Sequence, residues 1–249
     1  MHVRAVGMTA TRIGDYQLTR SLPATCAGVL EFEGTHILLP RKARVRIACH
    51  DDAAAQLIRE ACVLESLRDP GVPRIYECGL REGRPWIASE MLDGPSLAEA
   101  IRDRAMSPAE LLVVVRDVAE VLHHGHTRGV VHGRLGPASI VRHAGGLVVD
   151  GWGAARPDAD PRDDVAALGK LIALALSPPM SRPILQLVDR MTSESAFARP
   201  SAAEVRAEAT RLLEDDDVEE VEIILIEGVM EGLDEDTINE PLFATGGSS

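Results

Sequence analysis

The strongest constraint on the fold is a change of hydrophobic pattern near the middle of the chain. From Tyr16 to about Leu92, short stretches alternate apolar and polar residues or run apolar, which predicts β-strands and a single helix. From there to about residue 213, the pattern is mainly helical and is interrupted by one short hairpin. A strand-rich half followed by a helical half predicts an α+β fold with two lobes and a cleft between them.

The strand-rich half contains several strand candidates, among them one at 85–92, and one helix. Strands are predicted at 28–34 and 43–48, with a turn at Glu33–Thr35 between them. A helix is predicted over 51–67, because two aspartates open it and its apolar residues share one face. Those apolar residues are Leu57, Ala61, Leu64 and Leu67.

The helical half begins at a capping signal. Ser107 and Glu110 form a Ser-Pro-x-Glu start, and the apolar run after them predicts a buried helix that ends at Gly129. A hairpin is predicted over 138–151, with its turn at Ala144–Gly146. Three further helices are predicted at 162–176, 183–192 and 201–213.

Charge separates a tail from the body of the chain. The net charge is −13, and residues 214–249 contain 13 acids with neither lysine nor arginine. The body is therefore neutral and has no basic stripe, so binding to nucleic acid is not expected.

The spacing of the cysteines and the length of the apolar runs indicate the cellular compartment. Four cysteines without a CxxC pair predict buried thiols in a reduced, cytoplasmic protein, rather than disulfides or a metal site. The chain shows no signal-peptide pattern and no apolar run long enough to span a bilayer, so no membrane insertion is expected. Met8 is an alternative start, because residues 1–7 carry no pattern.

Six short segments follow one another in an order typical of one enzyme family. They read REACVLESL, IASEMLDGPSLAEAI, HTRGVVHGRLGPASIV, LVVDGWGAAR, DDVAALG and ARPSAAEV. Together they resemble a bacterial Ser/Thr protein kinase domain over about residues 13–213. The resemblance implies an N-terminal extension at 1–12, a strand-rich N-lobe at 13–92, a shortened helical C-lobe at 93–213 and an acidic tail at 214–249.

The parts that hold the nucleotide phosphates in this family are altered here. The glycine loop aligns so that its three glycines fall on Leu22, Ala24 and Ala27. The phosphate-binding lysine falls on Arg46, and the helix glutamate that pairs with it falls on Glu60. Because arginine is bulkier than lysine and binds with a different geometry, we expect this pair to clamp strand to helix as structure.

The catalytic loop and the metal ligands are altered as well. The family's His-Arg-Asp falls on His132, Gly133 and Arg134, so a permanent cation replaces the general base. Ser139 replaces the asparagine that holds a magnesium ion, and only Asp150 is retained as a metal ligand. His132 is expected to support the loop as a core residue.

The activation segment is missing. Asp150 and Asp164 are 14 positions apart, which leaves no length for a substrate platform or for a phosphorylatable loop. The resemblance implies that Asp164 and Arg199 brace the C-lobe. It therefore predicts a pseudokinase, with no catalytic residue and no metal site.

An enzyme is the alternative. HGRLGPAS also resembles the loop of small-molecule phosphotransferases similar to aminoglycoside kinases, which have no activation segment. An ATP-dependent phosphotransferase with atypical or residual activity, or an adenylyl transferase, is the competing interpretation. No cofactor is expected, but weak ATP contact stays open at the hinge backbone of Glu90, Met91 and Leu92. The histidines of HHGH at 123–126 are interpreted as helix residues rather than metal ligands.

The tail is the predicted partner-binding segment. Its apolar run, Ile223, Ile224, Leu225 and Ile226, lowers solubility unless it contacts the sheet or groove of a partner. Thr237 lies among acids, like the phosphothreonines that forkhead-associated domains read. A solvated acidic tail is the alternative. We therefore expect a scaffold, adaptor or allosteric regulator, with an active Ser/Thr kinase or a forkhead-associated domain as its partner.

Overall fold

The computed structural model describes residues 12–103, 106–156, 158–176 and 181–215. These residues divide into two units, one made of 12–61 and 74–91 and the other of the described residues in 62–73 and 92–215. Three features predicted above, Met8, the run Ile223–Ile226 and Thr237, lie outside the described residues.

One antiparallel sheet of six strands makes up most of the first unit, in the order β1-β2-β3-β4-β6-β5. The strands are Arg12–Ile13 (β1), Tyr16–Leu22 (β2), Val29–His36 (β3), Lys42–Ala48 (β4), Ile75–Arg81 (β5) and Arg84–Glu90 (β6). A helix, Asp51–Leu67 (α1), follows β4. Its limits are those predicted from the sequence.

Alternation along β4 explains how both faces of the sheet are covered. Ala43 and Val45 belong to an apolar cluster with Tyr16 on one face. Ala48 belongs to a second cluster, which includes Leu57 of α1. Because successive side chains of a strand point to opposite faces, Arg44 and Arg46 lie on the same face of the sheet as Ala48, which is the α1 face.

The predicted turn at Glu33–Thr35 is wrong. β3 continues through these residues to His36, and the chain turns at 37–41 instead. A Cβ at Gly34 would lie 2.8 Å from the Val45 side chain and 3.2 Å from that of Tyr16. This glycine therefore allows close packing inside a strand, a role that the sequence does not distinguish from a turn.

The second unit is helical, with one hairpin. Its helices are Leu97–Asp103 (α2), Pro108–His126 (α3), Pro161–Ala175 (α4), Arg182–Met191 (α5) and Ala202–Glu214 (α6). Its strands are Ile140–His143 (β7) and Gly146–Val149 (β8). The predicted α+β class is confirmed. None of the described helices is both long and apolar enough to cross a membrane.

Helix α3 shows how local signals set the limits of an element. The predicted capping box is present, with the Ser107 side chain accepting from the backbone N–H of Glu110. The helix ends at His126, three residues before the predicted Gly129. Gly129 adopts a φ of +70°, a left-handed conformation, so it belongs to the turn after the helix.

The expectation of buried thiols is wrong for three of the four cysteines. Cys49, Cys62 and Cys78 are exposed, whereas Cys26 is partly buried, and all four are free. Cys62 faces outward on α1, and Cys78 lies on the edge strand β5, so neither thiol is enclosed.

Candidate functional site

The strand position predicted for the phosphate-binding lysine holds a buried arginine. Arg46 on β4 donates from Nη1 to Oε1 of Glu60 on α1 at 2.8 Å, and the two side chains are 4% and 5% exposed. The buried Nε of Arg46 has no acceptor among the described residues. Lys42, the lysine on the same strand, has a side chain that is 66% exposed, and its ammonium pairs with Glu33. The Arg46–Glu60 pair joins strand to helix.

A second charged network lies beside this pair. Glu31 on β3 is the register partner of Arg46 and is 2% exposed. Its Oε1 accepts from the backbone N–H and the hydroxyl of Thr25 at 2.7 and 2.5 Å. Its Oε2 accepts from Nε of Arg44 at 2.7 Å, and Nη2 of Arg44 donates to Oγ1 of Thr25 at 2.7 Å. The network ties the loop at 23–28 to β3 and β4.

This environment changes the acidity of two groups. Burial by itself raises the pKa of Glu31, but the charge of Arg44 and the hydrogen bonds from Arg44 and Thr25 outweigh burial and lower that pKa. The resulting stabilisation is complete above the ordinary pKa of 4.5 and is lost as the pH falls through the lower folded value. Burial, assisted by the charge of Glu31, raises the pKa of Cys26. That thiol is therefore a weak nucleophile at neutral pH.

In the second unit, Asp164 fixes the segment that resembles a catalytic loop. It lies in the first turn of α4 and is 1% exposed. Its Oδ2 accepts from the backbone N–H of His132, and its Oδ1 from that of Gly133, both at 2.8 Å. The same Oδ2 lies 2.9 Å from Nε2 of His126 on α3. One buried carboxylate thus connects the loop, α3 and α4, which is the bracing role expected of it.

His132 and Arg134 have different surroundings, although they are two residues apart. His132 is buried, with its Nε2 at 3.0 Å from the carbonyl oxygen of Asp150 and its ring packed edge-on against Trp152. Arg134 is exposed, and its backbone N–H donates to Nδ1 of His132. His132 is thus a core residue of the loop, and the position predicted for the base holds an exposed arginine.

The two positions predicted for metal ligands are adjacent. The backbone N–H of Asp150 donates to the carbonyl of Ser139 at 2.7 Å. The Ser139 hydroxyl closes a local turn, donating to the Gly136 carbonyl at 2.7 Å and accepting from its N–H at 3.0 Å. Among the described residues, no group of three His, Cys, Asp or Glu is placed to hold a metal ion. His124, one of the HHGH histidines, lies 2.7 Å from the carbonyl of Leu67 instead.

The residues after Asp150 return at once to the same loop. A 3₁₀ turn at Trp152–Ala154 leads to Arg156, whose backbone forms two hydrogen bonds with Val131, at 3.0 and 3.3 Å. Helix α4 then begins at Pro161. Among the described residues, 151–156 and 158–160 lie between Asp150 and the start of α4.

At the predicted hinge, the backbone N–H of Glu90 is already engaged in a hydrogen bond within the protein. The N–H of Glu90 donates to the carbonyl of Arg74 at 2.8 Å, and its carboxylate accepts from the N–H of Arg74 at 3.2 Å. Met91 and Leu92 are partly exposed. The Glu90 N–H therefore serves the first unit rather than a ligand.

Sequence reasoning did not identify Glu31 and Thr25. Strand alternation places Glu31 on the same face as the buried Val29, where an apolar residue is expected. An acid at such a position is the available signal, because a buried carboxylate needs a partner. Its partners are not readable from the sequence, since only the register of β3 and β4 brings Arg44 beside it.

Comparisons with known proteins give relatives in one family. No family model matches the chain. The serine/threonine-protein kinase PknJ of Mycobacterium tuberculosis is 30% identical over 151 residues, which is 57% of this chain and 26% of that protein. PknD of the same organism is 31% identical over 165 residues, 63% of this chain and 24% of that protein. This chain thus spans about a quarter of the length of these relatives.

A solved structure is similar in fold. A mutant of the M. tuberculosis PknI kinase domain matches with a TM-score of 0.65 at 21% sequence identity. The match covers 84% of this chain and 98% of that domain. At this identity, the likeness shows the fold alone.

Proposed function

We propose that this chain, a bacterial Ser/Thr kinase-like domain by its fold and its relatives, is catalytically inactive and acts by binding other proteins. Its role is that of a scaffold, adaptor or allosteric regulator in a Ser/Thr phosphorylation pathway. We place this role in the cytoplasm, where ATP-dependent kinases work and where four free thiols stay reduced. One observation carries the proposal: Arg134 lies at the predicted base position of a loop that Asp164 and His132 still support.

The segment that resembles a catalytic loop has its supporting residues in place but has no general base. Asp164 and His132 hold the loop through three hydrogen bonds, one of them buried and two partly buried. The residue at the base position is nonetheless Arg134, a permanent cation, which cannot accept the proton of a substrate hydroxyl. Because general-base catalysis needs an acceptor within hydrogen-bond reach, such a loop supports structure rather than phosphoryl transfer.

The metal and phosphate positions favour the same proposal. Kinases hold their magnesium ions with an aspartate and an asparagine, and the lysine on the neighbouring strand contacts the phosphates. Here Asp150 is retained, but the Ser139 hydroxyl is bonded to Gly136. In the first unit, Arg46 is buried against Glu60. Each departure removes a different contact to Mg²⁺-ATP.

We expect ATP and Mg²⁺ to leave the Tm of the wild-type protein unchanged. A ligand that binds only the native state adds about 2.7 kcal/mol to the free energy of unfolding at a hundred times its Kd, so binding is easily detected. Thermal unfolding followed by fluorescence measures this, with an active bacterial Ser/Thr kinase domain as the positive control. The variant Arg134→Asp restores a carboxylate at the base position, and we expect it to show neither a Tm shift nor ADP formation.

Two outcomes would count against this proposal. A Mg²⁺-dependent rise in the Tm of the wild-type protein would mean that it binds nucleotide. Formation of ADP or of a phosphorylated product by the wild-type protein would show catalysis and favour the phosphotransferase alternative. A rise in Tm for Arg134→Asp alone would mean that the arginine is the main barrier to nucleotide binding.

Partner binding is assigned to the acidic tail, and phosphorylation of Thr237 is expected to switch it. Phosphate adds negative charge and three strong acceptors that arginines of a reading domain bind. The chain of residues 1–249, phosphorylated by an active Ser/Thr kinase, should bind a forkhead-associated domain at least about tenfold more tightly than the unphosphorylated chain. Titration calorimetry measures both affinities.

Two threonine variants isolate this site. Thr237→Ala should abolish the gain in affinity, whereas Thr245→Ala, which changes another threonine of the same tail, should keep it. If Thr237→Ala still binds more tightly after phosphorylation, the switch lies elsewhere in the chain.

A further inference from the structure

The loop at 23–28 and strand β4 direct three kinds of donor to one carboxylate. Oε1 of Glu31 accepts from the backbone N–H and the hydroxyl of Thr25, and Oε2 accepts from the guanidinium of Arg44. A further hydrogen bond from Arg44 to Thr25 closes the network. Both oxygens of this carboxylate are therefore occupied.

These donors are the ones that proteins use to bind a phosphate group. Backbone N–H groups of a loop, a hydroxyl and an arginine fork form charge-assisted hydrogen bonds to phosphate oxygens. We propose that Glu31 is an internal substitute for a phosphate: it fills an anion site formed by Thr25 and Arg44 and keeps that site closed to nucleotide phosphates. This inference rests on the proposed absence of nucleotide binding and gives a physical cause for it.

The position of the network on the sheet supports this reading. Glu31 lies directly opposite Arg46, the residue at the phosphate-binding position, in the register of β3 and β4. Cys26 of the loop packs against the apolar cluster on the α1 face. An incoming phosphate would have to displace a buried carboxylate and would then lie near two negative side chains, those of Glu31 and Glu60.

The loop is also fixed at its other end. The backbone N–H of Cys49, just after β4, donates to the carbonyl of Gly28 at 2.8 Å. Gly28 has a φ of +72°, and a Cβ there would lie 1.9 Å from Nε2 of His50. The loop is thus attached at Thr25 and at Gly28, so we expect it to stay on the strands when the protein is in solution.

Removing the carboxylate should turn the closed network into an open anion site. In Glu31→Ala, Thr25 and Arg44 lose the carboxylate oxygens to which they donate, and the Tm should fall by about 4–8 °C. Inorganic phosphate, compared with chloride at equal ionic strength, should restore about half of this loss or more. Glu33→Ala is the matched control, because Glu33 lies two residues along β3 and pairs with Arg20 and Lys42 at the surface. Phosphate should raise the Tm of this control and of the wild-type protein only by the smaller, general amount that a kosmotropic anion produces.

A phosphate effect that is absent in Glu31→Ala, or equal in all three proteins, would overturn the inference. A measurement on the wild-type protein covers the case in which Glu31→Ala does not fold. Hydrogen exchange should show the Thr25 amide protected at least about tenfold relative to an unstructured peptide, although it lies in a surface loop. Exchange at the unprotected rate would also overturn the inference. ATP binding by the wild-type protein would contradict the proposed function and this inference together, whereas failure of the phosphate or exchange test alone would overturn only the inference, so the two failures are distinguishable.

Discussion

Changing Arg46 or Glu60 alone is expected to lower the free energy of unfolding of the first unit by about 3–5 kcal/mol. Either change leaves a charged group that is about 95% shielded from solvent without its partner, at a cost larger than that of most single substitutions. Arg46→Met and Glu60→Leu are suitable, since they keep the volume of the side chains approximately. Denaturant unfolding followed by circular dichroism measures the effect.

The double variant tests whether the pair acts as a unit. Arg46→Met combined with Glu60→Leu should lie within about 1.5 kcal/mol of the wild-type protein, because it removes both charges and the unsatisfied Nε donor. Lys42→Met is the surface control and should cost less than about 1 kcal/mol, because its ion pair is largely exposed. Single variants as mild as this control would contradict the prediction, and so would a double variant that loses the sum of both.

The elements with local start signals are the predictable part of the fold. Two aspartates open the helix at 51–67, and a capping box starts α3 at Ser107, so both begin where the sequence places them. Gly34 is different, because a glycine in a strand-like run fits a turn and close packing equally well. Which role applies depends on Tyr16 and Val45, whose proximity is set by strand pairing.

The residues of the candidate site also fall into those that the sequence predicts and those that it does not. Arg46, Glu60 and Arg134 are identified by their place in an ordered set of motifs, each readable along the chain. Glu31 and Thr25 are not, because their contact depends on how a six-residue loop closes and on the register of two strands. A charged residue on the buried face of a strand is the type of signal that indicates such a network.

The residues that support the loop are different from those at the positions proposed to have lost their chemistry. Arg134 and Arg46 occupy the positions predicted for the base and the phosphate contact, whereas Asp164 and His132 hold the backbone of the loop through hydrogen bonds. A protein that uses its surface for binding still needs a rigid fold beneath that surface. A loop that is firmly supported in this way is what we expect if the domain works by binding, as proposed above.

Asp164 is the residue on which this frame should depend most strongly. Its carboxylate accepts the backbone N–H groups of His132 and Gly133 and contacts His126, all from a position that is 1% exposed. Asp164→Ala leaves these donors without their acceptor inside the second unit. We expect it to lower the free energy of unfolding by about 3–4 kcal/mol, since each buried unsatisfied donor costs about 1–3 kcal/mol.

The neighbouring aspartate supplies a matched control for this prediction. Asp163 also lies in the first turn of α4, so changing either residue removes the same favourable charge at a helix N-terminus. Its side chain is 64% exposed and pairs with Arg199, so Asp163→Ala should cost less than about 1 kcal/mol. Hydrogen exchange should show the His132 and Gly133 amides losing protection in Asp164→Ala alone. Equal protection in the two variants would mean that the loop is held by contacts other than this carboxylate.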